Sequence, residues 1–152
     1  MLKLNKLIEF SEEYVNARAN LEKAIIVAID DEVAGLIEDL TNSGNQCTLI
    51  TVIPTHDSAI RDEDNKAMKN NLLFFIVKKT DSKAGNAQKL ANFVICQNEI
   101  EDLLKHIIGL IDAQGEDCLF KNIDYGSAPI IPIPNYFNQN GYLLEISTKT
   151  YF

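Results

Sequence analysis

The sequence predicts an α+β domain: a mainly antiparallel four-stranded sheet with helices on one face, in the order α(α)ββαββ. Three observations carry this. Apolar residues recur at helical spacing through the first forty residues, the helical part spanning 1–42. Two strand-like stretches and then a long amphipathic segment follow. Two more strand-like stretches complete a ββαββ part at 47–152. At 152 residues, 46% of them hydrophobic, the chain is the size of one ordinary domain and can fill a core.

Leu4, Leu7, Ile8, Tyr14 and Val15 form one helical stripe, and Ile25, Ile29, Val33, Leu36, Ile37 and Leu40 form another. Between them Asn16–Asn20 has no large apolar residue, so either one bent helix or two consecutive helices fit, with Asn20 as N-cap of the second. Gly44 marks the stop. Cys47–Pro54, rich in Thr, Val and Ile, reads as a strand. Leu72–Lys79 is apolar almost throughout, as in a strand that is central or covered on both faces. The polar stretch Thr55–Asn71 between them is expected to be a long loop.

From Ala87 to about Ala113 the apolar residues hold a 3.6-residue period. With Cys96, Ile108 and Leu110 included, their arc is about 200° wide. One sheet does not normally cover so wide an arc. The helix is therefore expected to have the sheet on one flank and the N-terminal helices or another subunit on the other. Its narrow polar strip is Asn98, Glu99, Asp102, Lys105, His106 and Gly109. Leu119–Ile133 reads as a strand confined to an edge, bulged or partly polyproline-like, because Pro129 and Pro132 cannot donate to a ladder. Asn138–Gly141 is a turn signal. Tyr142–Phe152 alternates, with Tyr142, Leu144 and Ile146 on one face and Glu145, Ser147 and Lys149 on the other.

Charge and cysteine content exclude more than they identify. The formal net charge is -8 and the basic residues are scattered, which argues against sequence-specific nucleic-acid binding and against docking on an anionic membrane. The longest apolar runs, Ala24–Ile29 and Leu72–Val77, are too short to span a bilayer, and no signal peptide opens the chain. Three widely spaced cysteines suit free thiols in a reducing compartment, so a cytoplasmic address, or a particle assembled there, is expected. Cys96 reads as a small buried hydrophobe.

The chemical constellations are sparse. His56-Asp57 and Asp62-Glu63-Asp64 offer oxygen ligands, but Ala67 and Leu73 stand where a calcium loop needs glycine and glutamate. A solvated acidic loop is the simpler account. Glu99, Asp102 and His106 lie close on the long helix without the third or fourth ligand that zinc needs, and an Asp102–His106 surface pair is expected. No nucleophile elbow, phosphate loop or dinucleotide fingerprint is present. We expect no catalytic residues, no metal, no cofactor and no small-molecule substrate. Contact surfaces remain: the acidic loop with His56, Asp62, Glu63 and Asp64, the aromatic pair Tyr136 and Phe137, which either projects or folds back on the core, and Phe152.

Two short motifs extend this. Asn71-Leu-Leu-Phe-Phe-Ile-Val-Lys-Lys-Thr-Asp81 is a strand ending in Lys-Thr-Asp ahead of a long helix. Asn135-Tyr-Phe-Asn-Gln-Asn-Gly-Tyr-Leu-Leu-Glu-Ile146 leads an Asn-rich loop into a closing strand. In these motifs and in element order, residues 47–152 resemble phage or phage-derived tail and neck proteins of the tail-terminator or tail-completion type. The resemblance implies a structural subunit that self-associates, as a homo-oligomeric ring, or joins other assembly proteins. The alternative expectation is a small acidic binding module, an inhibitor or immunity-type partner of a basic protein.

Overall fold

The chain is described by a computed structural model over residues 1–28, 46–60, 64, 66–81, 83–136 and 139–152. Helix α1 (Leu4–Asn16) buries Leu7, Phe10, Ser11, Tyr14 and Val15 along one side. It ends where Asn16–Asn20 offers nothing to bury, and the Ala17 amide is shared by the Glu13 and Tyr14 carbonyls. Here the structure corrects the first expectation. Leu21–Val27 is a strand, β1, and not a second helix with Asn20 as its cap. Ala24-Ile25-Ile26-Val27 supplies β-branched residues in succession, and these pack better on a pleated surface than around a helix. The remainder of the expected stripe, from Ile29 to Leu40, and the Gly44 stop lie outside the described residues.

Strands β2 (Cys47–Ser58), β3 (Ala67–Lys79), β4 (Ile130–Tyr136) and β5 (Gln139–Tyr151) complete a five-stranded sheet in the order β1-β2-β3-β5-β4. The sheet is thus mixed, with β1 parallel to β2 and the other pairs antiparallel. It has one strand more than the sequence predicts. The stretch read as a loop at Thr55–Asn71 is mostly hairpin: Thr55, His56, Asp57 and Ser58 pair with Asn71, Asn70, Lys69 and Met68. Its polar composition hid two strands that continue past the core, where alternate positions need no apolar side chain. Leu119–Ile133 is corrected too. Only β4 is regular, and ahead of it Ile123 makes a single bridge to Thr148. As the prolines require, β4 lies at an edge with a register shift.

The expected long helix is present as α2 (Asn86–Gln114), ending at Gly115 with φ +55°, a left-handed value that favours glycine. A short 3₁₀ turn, Gly115–Asp117, leads into Phe120. Leu49, Leu72, Phe74, Ile76, Leu144 and Ile146 on one side of the sheet form the larger core with α1, α2 and Phe120. Phe10, Phe74 and Phe120 meet edge-to-face, the closest centroids 4.7 Å apart. Each such contact is worth about 1 kcal/mol beyond burial. The reverse side carries a second buried set, Val27, Ile50, Val52, Phe75, Val77 and Leu143, which is why β3 shows no clean alternation.

Asn140-Gly141, expected in a turn, lies inside β5. Gly141 serves close approach rather than turning: a Cβ there would stand 2.0 Å from the Ile76 carbonyl oxygen.

Candidate functional site

Polar side chains converge where the turn between α1 and β1 meets the middle of α2. The turn presents Arg18 and Asn20. On α2, Asn92, Cys96 and Glu99 recur at helical spacing on the buried side, and Asp102 and His106 follow. Arg18 Nε donates to Glu99 Oε2 at 3.1 Å, and Arg18 Nη2 donates to Asp102 Oδ2 at 2.7 Å. Asn20 Nδ2 takes the other Glu99 oxygen at 2.8 Å. Glu99, only 2% exposed, is therefore a buried carboxylate with both oxygens occupied, and not part of a solvated polar strip.

The surroundings set the protonation states. Hydrogen bonding by Arg18 holds the Asp102 carboxyl below its usual range. Burial works against the charged Arg18 guanidinium, but its bonds to Asp102 and Glu99 prevail and keep its pKa above the ordinary value. The Arg18 guanidinium also lies 5.9 Å from the centre of the Tyr14 ring. Burial pushes the Tyr14 phenol up to about 12, with Arg18 pulling the other way. Its hydroxyl is buried without a hydrogen-bond partner. The expected Asp102–His106 pair is replaced. Asp102 is engaged by Arg18, and the His106 ring lies 5.1 Å from Tyr14 and 6.0 Å from Phe10. Desolvation and the Arg18 charge lower the His106 pKa.

Beside this cluster runs an open groove of about 1010 Å³ between α1 and the C-terminal half of α2, lined by Phe10, Tyr14, Arg18, His106, Leu110 and Leu119 among others. Two ion pairs flank it, Lys6 with Glu9 along α1 and Lys121 with Glu116 after α2. On the other side of Glu99, Cys96 and Cys47 bring their sulfurs to 3.8 Å. As expected, Cys96 is fully buried, and its contact with Cys47 together with burial keeps the thiol protonated. All three cysteines are free and buried.

The sequence-predicted contact residues are dispersed. His56 is in a strand, not a loop. Its Nδ1 lies 2.8 Å from Asn70 Oδ1, which also accepts the Leu2 amide, so Nδ1 is the donor. Asn70, fully buried, passes its own hydrogens to Thr148 and Thr150. His56 thus helps fasten the chain's first residues to the sheet. Asp57 is bonded instead by Asn71, on the opposite face of the strand. Asp64 is exposed, and Asp62, Glu63 and Phe137 lie outside the described residues. Tyr136 pairs with Gln139 through the backbone. Phe152 is 77% exposed while its amide bonds the Lys66 carbonyl.

Sequence reasoning missed Arg18, Asn20 and Asn70. Glu99 was the available signal: three residues after Cys96 and four before Leu103, it falls on the buried side and needs a cation. Among the described residues no three His, Cys, Asp or Glu side chains are grouped to hold a metal ion, and no helix is long and apolar enough to cross a membrane. No protein-family model, no curated protein and no solved structure matches the chain.

Proposed function

We propose that this chain is a non-enzymatic assembly protein, a subunit that associates with copies of itself or with other assembly proteins. Its kind is the phage-like tail-terminator or connector that residues 47–152 resemble. One observation carries this. Where β2, β3 and β5 run on past the core, Ile60, Tyr151 and Phe152 stand 58%, 55% and 77% exposed at the same end of the sheet. Large hydrophobic side chains left in solvent at one end of a sheet suit a contact surface, and aromatic ones bury much area for little entropy. The polar cluster at Glu99 fits the same account. Its carboxylates are spent on Arg18 and Asn20, which suits fastening the turn between α1 and β1 to α2 better than moving protons.

Such a protein works in the cytoplasm, or in a particle assembled there, without binding nucleic acid sequence-specifically. Sedimentation velocity over a concentration series tests the proposal. A discrete oligomer is expected, and Phe152→Ser should weaken it. A strict monomer at high concentration would refute self-association.

The net charge of -8 favours an alternative, a small acidic binding module steered to a basic protein. Co-purification of one basic partner at fixed stoichiometry, lost steeply with added salt, would select it.

A further inference from the structure

We infer that Cys47 and Cys96 are a redox-sensitive pair, two thiols that close to a disulfide when the chain meets a peroxide and so bolt α2 to β2. The inference stands apart from the assembly proposal. The two cysteines are 49 residues apart in sequence, yet the fold brings their sulfurs to 3.8 Å. Both thiols are free and fully buried. A disulfide holds its sulfurs about 2.05 Å apart, so these have about 1.8 Å left to travel.

Their places in the fold give the bond a consequence. Cys47 opens β2, and its amide donates to the Asn20 carbonyl at 2.8 Å. Cys96 stands one turn before Glu99, the carboxylate that Arg18 and Asn20 hold. Oxidation therefore repeats, in covalent form, the tie that the polar cluster makes between α2 and the start of the sheet. It costs the weak bond from Cys96 Sγ to the Asn140 carbonyl, 3.6 Å long. Cys118 is no competitor. About 27 Å of helix separates Cys96 from Gln114, and the four residues on to Cys118 are too few to lead back.

The two thiols differ in role. Hydrogen bonding by Cys96 holds Cys47 below the ordinary thiol range, while the same contact and burial push Cys96 up. Cys47 is thus the attacking thiolate. Its sulfur takes one oxygen of hydrogen peroxide, the O–O bond breaks, hydroxide leaves and a sulfenic acid forms. The Cys96 sulfur then attacks the Cys47 sulfur, the S–O bond breaks and a second hydroxide leaves. The two thiol protons end in two waters, and the dithiol has given two electrons to the peroxide. A peroxide is small enough for a buried pair. Its access follows local opening at the start of β2, where the exposed bond from Gln46 Nε2 to the Ala19 carbonyl is the outermost tie.

The test is mass spectrometry of the reduced full chain after hydrogen peroxide, with alkylation in denaturant to trap the remaining thiols. A peptide joining Cys47 to Cys96 is expected, with Cys118 alone alkylated, and dithiothreitol should restore all three thiols. The oxidised chain should melt about 10 °C higher, because the bond closes a loop of about 50 residues. Cys96→Ala should leave a Cys47 sulfenic acid that dimedone traps. Cys118→Ser should cross-link as the unmodified chain does. A folded, unmodified chain that keeps all three thiols, or that oxidises first at Cys118, would overturn the inference.

Discussion

Two buried polar clusters hold distant parts of this chain together, and they do so by different physics. Near the α1–β1 turn, Arg18 and Asn20 grip Glu99 and Asp102 on α2, about eighty residues away. Toward the other end of the sheet, Asn70 ties Leu2, His56, Thr148 and Thr150 without a formal ion pair. The first cluster hides a carboxylate and depends on its cation. The second hides an amide, which loses much less on leaving water. Similar hydrogen-bond counts therefore conceal different sensitivities to substitution, salt and pH.

The largest effect should come from separating the ions. Arg18→Ala leaves Glu99 buried and uncompensated, and unfolding free energy in urea should fall by about 3 kcal/mol. Glu99→Gln with Arg18→Met, which removes both charges, should recover most of that loss. If the single and double variants lose equally, the ion pair is not the source of the effect. Asn70→Ala orphans the Leu2 amide and leaves two threonine hydroxyls less well bonded, so about 2 kcal/mol is expected. Adding salt should shrink the Arg18 effect only through half-open Asp102, and the Asn70 effect not at all.

The contrast also explains what was legible in the sequence. Apolar periodicity located α1, α2 and β5, and an almost unbroken apolar run located β3, because burial of Leu7, Ile100, Leu144 and Phe74 leaves a local pattern. It failed at Leu21–Val27, where apolar residues in succession satisfy helix and strand templates alike and only parallel pairing with β2 decides. It failed again at Thr55–Ser58 and Ala67–Asn71, whose strand character comes from partners across the ladder. Neither polar cluster was legible for a related reason. Arg18 meets Glu99, and Asn70 meets Leu2, only after the sheet and α2 have placed them, and no spacing encodes contacts so far apart.

A pH titration sharpens the comparison further. His106 has its folded pKa lowered, so its contribution is complete above about 6.5, the ordinary value, and is lost as pH falls below it. Asp102, also lowered, adds a second loss as pH falls below about 3.8. The midpoint of urea unfolding should drop in two stages on acidification, and His106→Gln should remove only the first.

The smallest effect should be Tyr14→Phe. The Tyr14 hydroxyl is buried without a hydrogen-bond partner, so its removal near neutral pH should change stability by no more than about 1 kcal/mol. At high pH the two proteins should part. The phenol ionises near 10 in the unfolded chain and near 12 in the folded one, so the unmodified protein loses stability as pH rises between those values. The phenylalanine variant lacks that loss and should become the more stable of the two. Denaturant midpoints at pH 7 and pH 11 are enough to see it. A large loss at neutral pH would mean that the hydroxyl has a partner in the Arg18 cluster, and that the charged cluster extends to α1.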